Sequence, residues 1–456
     1  MRRATTLCFA LICTASAWAE PGFLDLTYEQ ALKKAAKEHK HVFIDFYTTW
    51  CGPCKMMNDT TFKDPGVVKW LSEKAVALKI DAEAQEEIAL KHGIDGYPTL
   101  VFLKPDGSEF ERLSGYIPAD DLKRAFRLVD SGKTALTAAK QKLDASPSDP
   151  LLRLDYGMEL ARRSQWEQAW QQYRQCLDQG TKQDEKFARL AGESLLSAMI
   201  ELGGPYEKAR MELLLLRNQA EGRIREAKAS PLDYAIVRDI NNVTGDDARS
   251  LQFYDEVLKS GHDDSIKSLT RAMMPLLVRA QRYKDIGDHL DITTDAGKIL
   301  AQAGETAAYM SRTREKAERE PLRLMFNENA ALRVTDHYQA LLALGRTQAA
   351  ATLANQALKL SQSPNVYGAL AWAGYLSGKP VEQNVAWARK ALDAVGGTSA
   401  DIVDTLARLL HKLGRNEEAV KVCQAALDKS GDLRSRMILQ DCLKDITAKD
   451  DANAGS

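Results

Sequence analysis

The stretch His41–Lys55, HVFIDFYTTWCGPCK, decides the fold of the first part of this chain. Its first seven residues are mostly apolar, as in a buried strand, and Cys51-Gly52-Pro53-Cys54 follow at the predicted start of a helix. Two thiols separated by two residues can cycle between dithiol and disulfide. The unpaired N–H groups at a helix start stabilise the thiolate of the first cysteine. The spacing therefore predicts a redox-active cysteine pair.

Two other interpretations of the cysteine pair compete with this one. A C-x-x-C pair can be half of a zinc site, but no second cysteine or histidine pair follows at ligand spacing. We therefore predict no metal site. A static structural disulfide is the other alternative, but closing so short a loop removes little chain entropy from the unfolded state. The redox interpretation is favoured over both.

Strand and helix patterns alternate after the cysteine pair, up to about residue 129. Together with the strand at 41–47 they predict an α/β fold. The predicted segments are a strand at Ala75–Asp81, a helix from about Glu86 to His92, a strand at Leu100–Leu103, a hairpin turn at Asp106-Gly107, a strand at Phe110–Leu113 and a closing helix from Pro118 to about Val129.

Residues 41–127 resemble the thioredoxin family along the whole fold, and Trp50 and Lys55 complete its signature WCGPCK. The stretch Thr61–Val68, TFKDPGVV, is similar to the secreted C-terminal domain of the bacterial membrane thiol-disulfide interchange reductase and to related periplasmic thioredoxins. The resemblance implies that Cys51 is the attacking thiol and Cys54 the resolving thiol, with no cofactor beyond their disulfide. We expect Cys51 to be exposed on the loop side of the helix start and Cys54 to be shielded.

Asp45 stands inside the apolar strand and by alternation shares a face with Phe43 and Tyr47. A buried carboxylate is costly unless something uses it. The resemblance implies that Asp45 is a general base that relays a proton to or from the resolving cysteine. The alternative is a strand-end aspartate that reaches solvent. Ala77 occupies the position of the lysine that partners this aspartate in thioredoxins, so the sequence predicts no lysine partner.

The predicted substrate-binding residues surround the cysteine pair. The resemblance implies a cis peptide bond between Tyr97 and Pro98, beside Cys51, where the backbone can pair with a substrate chain like an added strand. Trp50 is predicted to be a flat lid, with simple packing as the alternative. Gly52 and Pro53 complete the set. They stand between the cysteines as in reducing thioredoxins, which favours a potential nearer roughly −270 mV than roughly −120 mV. This points to a reductase and leaves an oxidase or isomerase as the alternative.

Residues Met1–Ala19 read as a secretory signal peptide. Arg2 and Arg3 form a charged end, Leu7–Ala15 an apolar run and Ala17-Trp18-Ala19 a cleavage site. The run is too short to anchor the chain in a membrane. We therefore expect a soluble periplasmic protein without membrane insertion. The expected partners are protein thiol or disulfide substrates and a membrane or periplasmic electron donor. A formal net charge of −1 gives no indication of nucleic-acid binding.

The remainder of the chain reads as alanine-rich helices with internal repeats. Gly157 is followed by Ala169, Tyr338 by Ala350 and Ala407 by Ala419, each twelve positions later. Gly345 and Gly414 occupy matching turn positions. The pattern is similar to the tetratricopeptide repeat (TPR), a helical hairpin of about 34 residues, whose stacking implies a concave surface for a protein or peptide partner. An irregular helical domain is the alternative.

The predicted fold class is thus an α/β thioredoxin fold followed by an all-α TPR-like solenoid. Five cysteines remain after residue 19, an odd number, and a Cys423–Cys442 bridge is open. The predicted function is a periplasmic protein-disulfide oxidoreductase. The alternative is an envelope interaction scaffold with a secondary redox site. The predicted domains are a signal peptide at 1–19, a thioredoxin-like domain at 20–132, a helical repeat domain at 133–446 and a disordered tail at 447–456.

Overall fold

A computed structural model describes residues 21–314, 316–397 and 399–448. The predicted signal peptide and all but the first two residues of the predicted tail lie outside these residues. The chain divides into two compact units between Lys142 and Leu143. This division falls inside helix Ala135–Ala145, whereas the boundary predicted at residue 132 precedes that helix.

The first unit is an α/β fold whose strands match the predicted segments closely. Both seven-residue strands have the predicted bounds, and the helix Tyr28–Glu38 before them was not predicted. The strands are β1 (His41–Tyr47), β2 (Ala75–Asp81), β3 (Thr99–Leu103) and β4 (Glu109–Ser114), and the helices are α1 (Tyr28–Glu38), α2 (Gly52–Asp59), α3 (Pro65–Lys74), α4 (Glu86–Lys91), α5 (Ala119–Asp130) and α6 (Ala135–Ala145).

The four strands form one sheet in the order β2-β1-β3-β4, with β1 parallel to β2 and the other pairs antiparallel. Alternation along β1 sends Phe43 into one buried apolar cluster, and Ile44 and Phe46 into another on the opposite face. Helices α3 and α5 cover the first cluster, since Leu71 and Phe126 belong to it. The sheet is therefore buried on both faces, and β1 leads directly from its centre to the cysteine pair.

The second unit is all-helical, which confirms the predicted fold class of an α/β fold followed by helices. Its helices are mostly joined by short turns into hairpins. They are α7 (Pro150–Ala161), α8 (Trp166–Gln175), α9 (Thr181–Gln183), α10 (Glu185–Gly203), α11 (Glu207–Arg225), α12 (Pro231–Thr244), α13 (Asp247–Ser260), α14 (Asp263–Ala272), α15 (Met274–Arg279), α16 (Tyr283–His289), α17 (Ile292–Met310), α18 (Lys316–Arg333), α19 (Thr335–Ala343), α20 (Thr347–Leu360), α21 (Pro364–Leu376), α22 (Glu382–Ala394), α23 (Ala400–Lys412), α24 (Asn416–Lys429) and α25 (Leu433–Thr447).

Small residues lie where the paired helices approach each other. A Cβ atom added to Gly157 in α7 would come within 2.7 Å of the Tyr173 ring in α8, so only glycine fits there. Ala350 and Ala419 are fully buried. Gly345 and Gly414 have φ angles of +74° and +78°, which glycine adopts without steric cost, and they end α19 and α23. The predicted turn glycines are confirmed.

Ion pairs also join segments of the helical unit that are distant in sequence. Arg189 of α10 donates two hydrogen bonds to Glu305 of α17, at 2.6 and 2.8 Å. Arg312 donates to both carboxylate oxygens of Asp149 at 2.8 and 2.9 Å. The unit is therefore not a purely linear array in which each hairpin contacts only its neighbours. None of the described helices combines the length and apolar composition that crossing a bilayer requires.

Candidate active site

The cysteine pair lies at the start of α2, where the local sequence fixes the backbone. Cys51 is the N-cap residue with extended dihedral angles (φ −68°, ψ 108°), and Pro53 lies in the first turn, where its missing N–H costs nothing. The N–H of Cys54 donates to Cys51 Sγ at 3.1 Å. The first sulfur therefore occupies the position in which a helix start stabilises negative charge.

Cys51 and Cys54 are joined by a disulfide bond, with their Cα atoms 5.3 Å apart. Each residue is only 3% exposed. The expected contrast between an exposed Cys51 and a shielded Cys54 is therefore wrong for the oxidised pair. The bond draws both sulfurs against the first turn of α2, so neither projects into solvent. In the reduced pair this bond no longer constrains Cys51.

Asp45 lies near the end of β1 with 2% of its surface exposed. The alternative of a strand-end aspartate that reaches solvent is therefore wrong. Its neighbour by alternation, Phe43, belongs to the buried cluster on the same face of the sheet, as predicted. A carboxylate at such a site needs a charged or hydrogen-bonded partner, because burial disfavours its ionised form.

That partner is a lysine, contrary to the sequence-based expectation. Lys79 Nζ lies 3.7 Å from Asp45 Oδ2, and the two residues are paired directly across the parallel strands β1 and β2. Paired residues in parallel strands point to the same face, so Lys79 supplies the lysine partner that Ala77 cannot. Aligning the two seven-residue strands in register would have revealed it, since Asp45 and Lys79 are each the fifth residue.

Three aromatic rings and Asn58 of α2 fix the position of the Lys79 ammonium. Nζ lies 5.3 to 5.5 Å from the ring centroids of Phe23, Tyr47 and Phe62, within the range of cation–π attraction. It also donates a hydrogen bond to Asn58 Oδ1 of α2. Lys79 therefore connects the buried Asp45 to the helix that carries both cysteines. None of Phe23, Asn58 and Phe62 was predicted as a site residue.

Trp50 and Tyr97 form an aromatic surface beside the pair. Trp50 is 64% exposed, so packing alone does not explain it. Its Nε1–H donates to Glu83 Oε1 at 2.9 Å, and its ring meets Tyr97 edge-on with centroids 6.0 Å apart. The Tyr97–Pro98 peptide bond is cis, which confirms that prediction. Trp50 and the Tyr97–Pro98 pair thus come from two loops, one before α2 and one before β3.

The other three described cysteines lie in the helical unit, and all three are buried and unbonded. Cys176 Sγ contacts the carbonyl oxygen of Pro150 at 3.5 Å, and burial raises the pKa of its thiol to about 12. Cys423 and Cys442 are also fully buried. Among the residues that the structure describes, no group of three or more histidine, cysteine, aspartate or glutamate side chains could hold a metal ion.

Comparison with known proteins gives a family match within the first unit. A family model described as a thioredoxin-like domain matches residues 28–130. Protein disulfide-isomerase of Oryctolagus cuniculus is 36% identical over 108 residues, 23% of this chain and 21% of that protein. A thioredoxin structure from Thermus thermophilus is 30% identical, covering 22% of this chain and 82% of that one, with a TM-score of 0.21.

The rabbit protein is thus matched over a small part of its length, whereas a thioredoxin is matched over most of its own. Thioredoxin-1 of Drosophila melanogaster is 39% identical over 88 residues, which make up 19% of this chain and 76% of that protein. Through residues 28–130, this chain belongs to the thioredoxin family.

Proposed function

We propose that the protein is a thiol–disulfide oxidoreductase that reduces disulfide bonds of client proteins in the periplasm. The observation that carries this proposal is the Cys51–Cys54 pair at the start of α2, where the Cys54 N–H donates to Cys51 Sγ. A helix start that already donates to this sulfur stabilises its thiolate, and the thiolate is the nucleophile in disulfide exchange.

The proposed reaction begins with the reduced pair. The Cys51 thiolate attacks one sulfur of the client disulfide, which forms a mixed disulfide and releases the other client sulfur as a thiolate. Cys54 then loses its proton and attacks Cys51 Sγ, which breaks the mixed disulfide. The products are a client dithiol and the Cys51–Cys54 disulfide, so two electrons pass to the client. An external dithiol donor must return two electrons before the next cycle.

Asp45 is proposed to accept the proton that Cys54 loses in the second step. The carboxylate is buried, and the ammonium of Lys79 at 3.7 Å favours its charged form. A charged carboxylate can accept a proton, so Lys79 acts as a positioning and charge-balancing residue rather than touching the client. The contact between Lys79 and Asn58 links this charge pair to α2.

Client recognition is proposed to involve the aromatic surface and the helical unit. Trp50 offers an exposed apolar ring held by Glu83, and the backbone at Tyr97–Pro98 is a candidate edge for an extended client chain. The hairpins of the second unit carry small residues at TPR-like positions, which supports a repeat architecture that binds a protein or peptide partner.

The reductase direction is proposed from Gly52-Pro53 between the cysteines. The predicted low potential means that the reduced pair gives up electrons readily. The redox state of the pair in cells tests this direction. Acid quenching preserves that state, and a thiol-specific mass tag then labels the reduced cysteines. We expect the pair to be mainly reduced. A pair found fully oxidised at steady state contradicts the reductase direction and favours an oxidase.

Trapping of clients tests the oxidoreductase activity itself. A Cys54→Ser variant retains the attacking thiol but cannot resolve the mixed disulfide, so we expect it to accumulate disulfide-linked clients. Non-reducing gels and mass spectrometry of the purified full chain detect them. The matched control is the Cys51→Ser/Cys54→Ser double variant, which must trap none. Equal recovery from both variants, or none from either, rules out the proposed activity.

A further inference from the structure

Cys423 and Cys442 lie on the last two described helices, α24 and α25, and have no assigned role. Both side chains have no exposed surface. Nineteen positions separate them in sequence, yet α24 and α25 pack against each other, which brings the two residues to the same interface. Cys176, by contrast, is buried directly after α8, beside a backbone carbonyl. Cys423 and Cys442 therefore share one helix interface, and Cys176 is not part of it.

The contacts of Cys423 place its sulfur beside Cys442. Cys423 Sγ donates to the carbonyl oxygen of Leu439 at 3.3 Å, and Leu439 lies one helical turn before Cys442 in α25. The interaction between the two thiols lowers the pKa of Cys423 and raises that of Cys442. Cys442 Sγ also lies 4.0 Å from the carbonyl oxygen of Asp404. Cys423 Sγ therefore packs against the part of α25 that carries Cys442.

We propose that Cys423 and Cys442 are a second disulfide site, which joins α25 to α24 when the protein meets an oxidant of the disulfide class. Two thiols on neighbouring turns of packed helices need little backbone movement to bond. This proposal rests on the C-terminal helices alone and does not depend on the activity proposed for Cys51 and Cys54.

The reaction is an ordinary thiol–disulfide exchange in two steps. Cys423 attacks a disulfide RSSR as the thiolate, which forms a mixed disulfide and releases RS⁻. Cys442 then loses its proton and attacks Cys423 Sγ, so the Cys423–Cys442 bond forms and a second RS⁻ leaves. The protein loses two electrons and two protons, and RSSR becomes two RSH. Cys423 attacks first because its interaction with Cys442 lowers the pKa of its thiol.

Access to the buried pair comes through α25. This helix has no described helix after it, and its outer face exposes Leu433 to 75% and Met437 to 55%. Helices with few buried apolar contacts open locally at lower free energy than the centre of a fold. The bond would then hold α25 against α24 and prevent that opening, which protects the end of the helical unit from proteases.

Mass spectrometry of the full-length protein tests the proposal. The reduced protein is equilibrated in glutathione buffers from fully reduced to fully oxidised, quenched with acid, alkylated and digested with trypsin. Trypsin releases Val422–Lys429 and Met437–Lys444, each with one of the two cysteines. We expect these two peptides to be disulfide-linked in oxidising buffer and separate after reduction. The chain should remain monomeric on a non-reducing gel. Oxidation should slow proteolytic release of α25 by about tenfold.

The Cys51–Cys54 pair in the same sample is the internal control for oxidation. If that pair is oxidised while Cys423 and Cys442 remain alkylated, or each carries glutathione, the proposal is wrong. Linkage found only between two chains, or only in urea, also overturns it. A Cys442→Ala variant must lose the proteolytic protection, whereas Cys176→Ala must keep it. If Cys442→Ala does not fold, the peptide linkage in the unmodified protein still decides the question.

Discussion

Cys51 and Cys176 are both almost completely buried, yet the backbone groups around the two sulfurs differ. Cys51 begins α2 and accepts a hydrogen bond from the Cys54 N–H. Cys176 follows α8, contacts the Pro150 carbonyl oxygen and has a pKa raised by burial to about 12. Thiolate formation is thus favoured by backbone N–H groups in the first unit and opposed by carbonyl and apolar surroundings in the second.

The comparison shows that low exposure alone does not make a cysteine inert. The direction of the nearby backbone dipoles decides whether the charged form is stabilised. The α/β unit builds this environment from a strand, a loop and a helix start around Cys51. The helical unit uses Cys176 as a small apolar group in packing. We expect substitutions in the two regions to change different observables, activity in the first and stability in the second.

Replacing the attacking thiol is expected to have the largest effect. Cys51→Ser removes the nucleophile, so reduction of insulin disulfides should fall to the uncatalysed background, a loss of about 100-fold or more. Cys176→Ala should retain activity within about twofold. The rate of insulin precipitation with a dithiol donor measures both. Comparable losses in the two variants would remove the distinction between the regions.

Removing the proposed proton acceptor should slow the second chemical step. Asp45→Asn keeps the size of the side chain but cannot accept a proton from Cys54, so we expect turnover about 100-fold slower. Lys79→Met should give a smaller loss that grows as the pH falls, because the carboxyl group loses the cation that favours its charged form. Exposed Lys69→Met is the matched control. A pH profile unchanged in Lys79→Met contradicts the proposed role of this lysine.

The sequence predicted the strands of the sheet and the cysteine pair because their apolar runs and turn residues are local signals. Helix α1 was missed because Ala31 and Ala35 make most of its buried face, and alanine gives a weak apolar pattern. Lys79 was missed because its role depends on strand register rather than on position in the motif. The pairs that join Arg189 to Glu305 link residues 116 positions apart, which no local pattern encodes.

A glycine substitution in the helical unit should destabilise it without changing exchange chemistry. A Cβ atom at Gly374 in α21 would overlap the amide of Asn384, which is fully buried and donates to Tyr338 Oη at 2.8 Å. Gly374→Ala should therefore cost about 1–3 kcal/mol in free energy of unfolding. Gly368→Ala in the same helix meets no atom within 4 Å and should instead gain about 0.5–1 kcal/mol. Urea unfolding followed by circular dichroism measures both.

Alkaline pH should produce the smallest effect, through Cys176. Its folded pKa of about 12 exceeds its ordinary value of 9.0, so its stabilising contribution is complete below pH 9 and is lost as the pH rises towards 12. Between pH 8 and pH 10 the helical unit should lose about 1 kcal/mol through this thiol. Cys176→Ala should remove that part of the pH dependence in urea unfolding. An identical slope in the variant shows that Cys176 is not responsible.

The most direct test of the account is the pH dependence of alkylation at Cys51 in the reduced, folded protein. Iodoacetamide modification is followed by mass spectrometry of the peptide His41–Lys55, with fragment sequencing to separate Cys51 from Cys54 and with glutathione as the reference thiol. We predict that Cys51 reacts at neutral pH faster than glutathione and that its rate reaches a plateau at lower pH, because the start of α2 stabilises the thiolate. A rate no faster than that of glutathione, with the same pH dependence, would contradict the account.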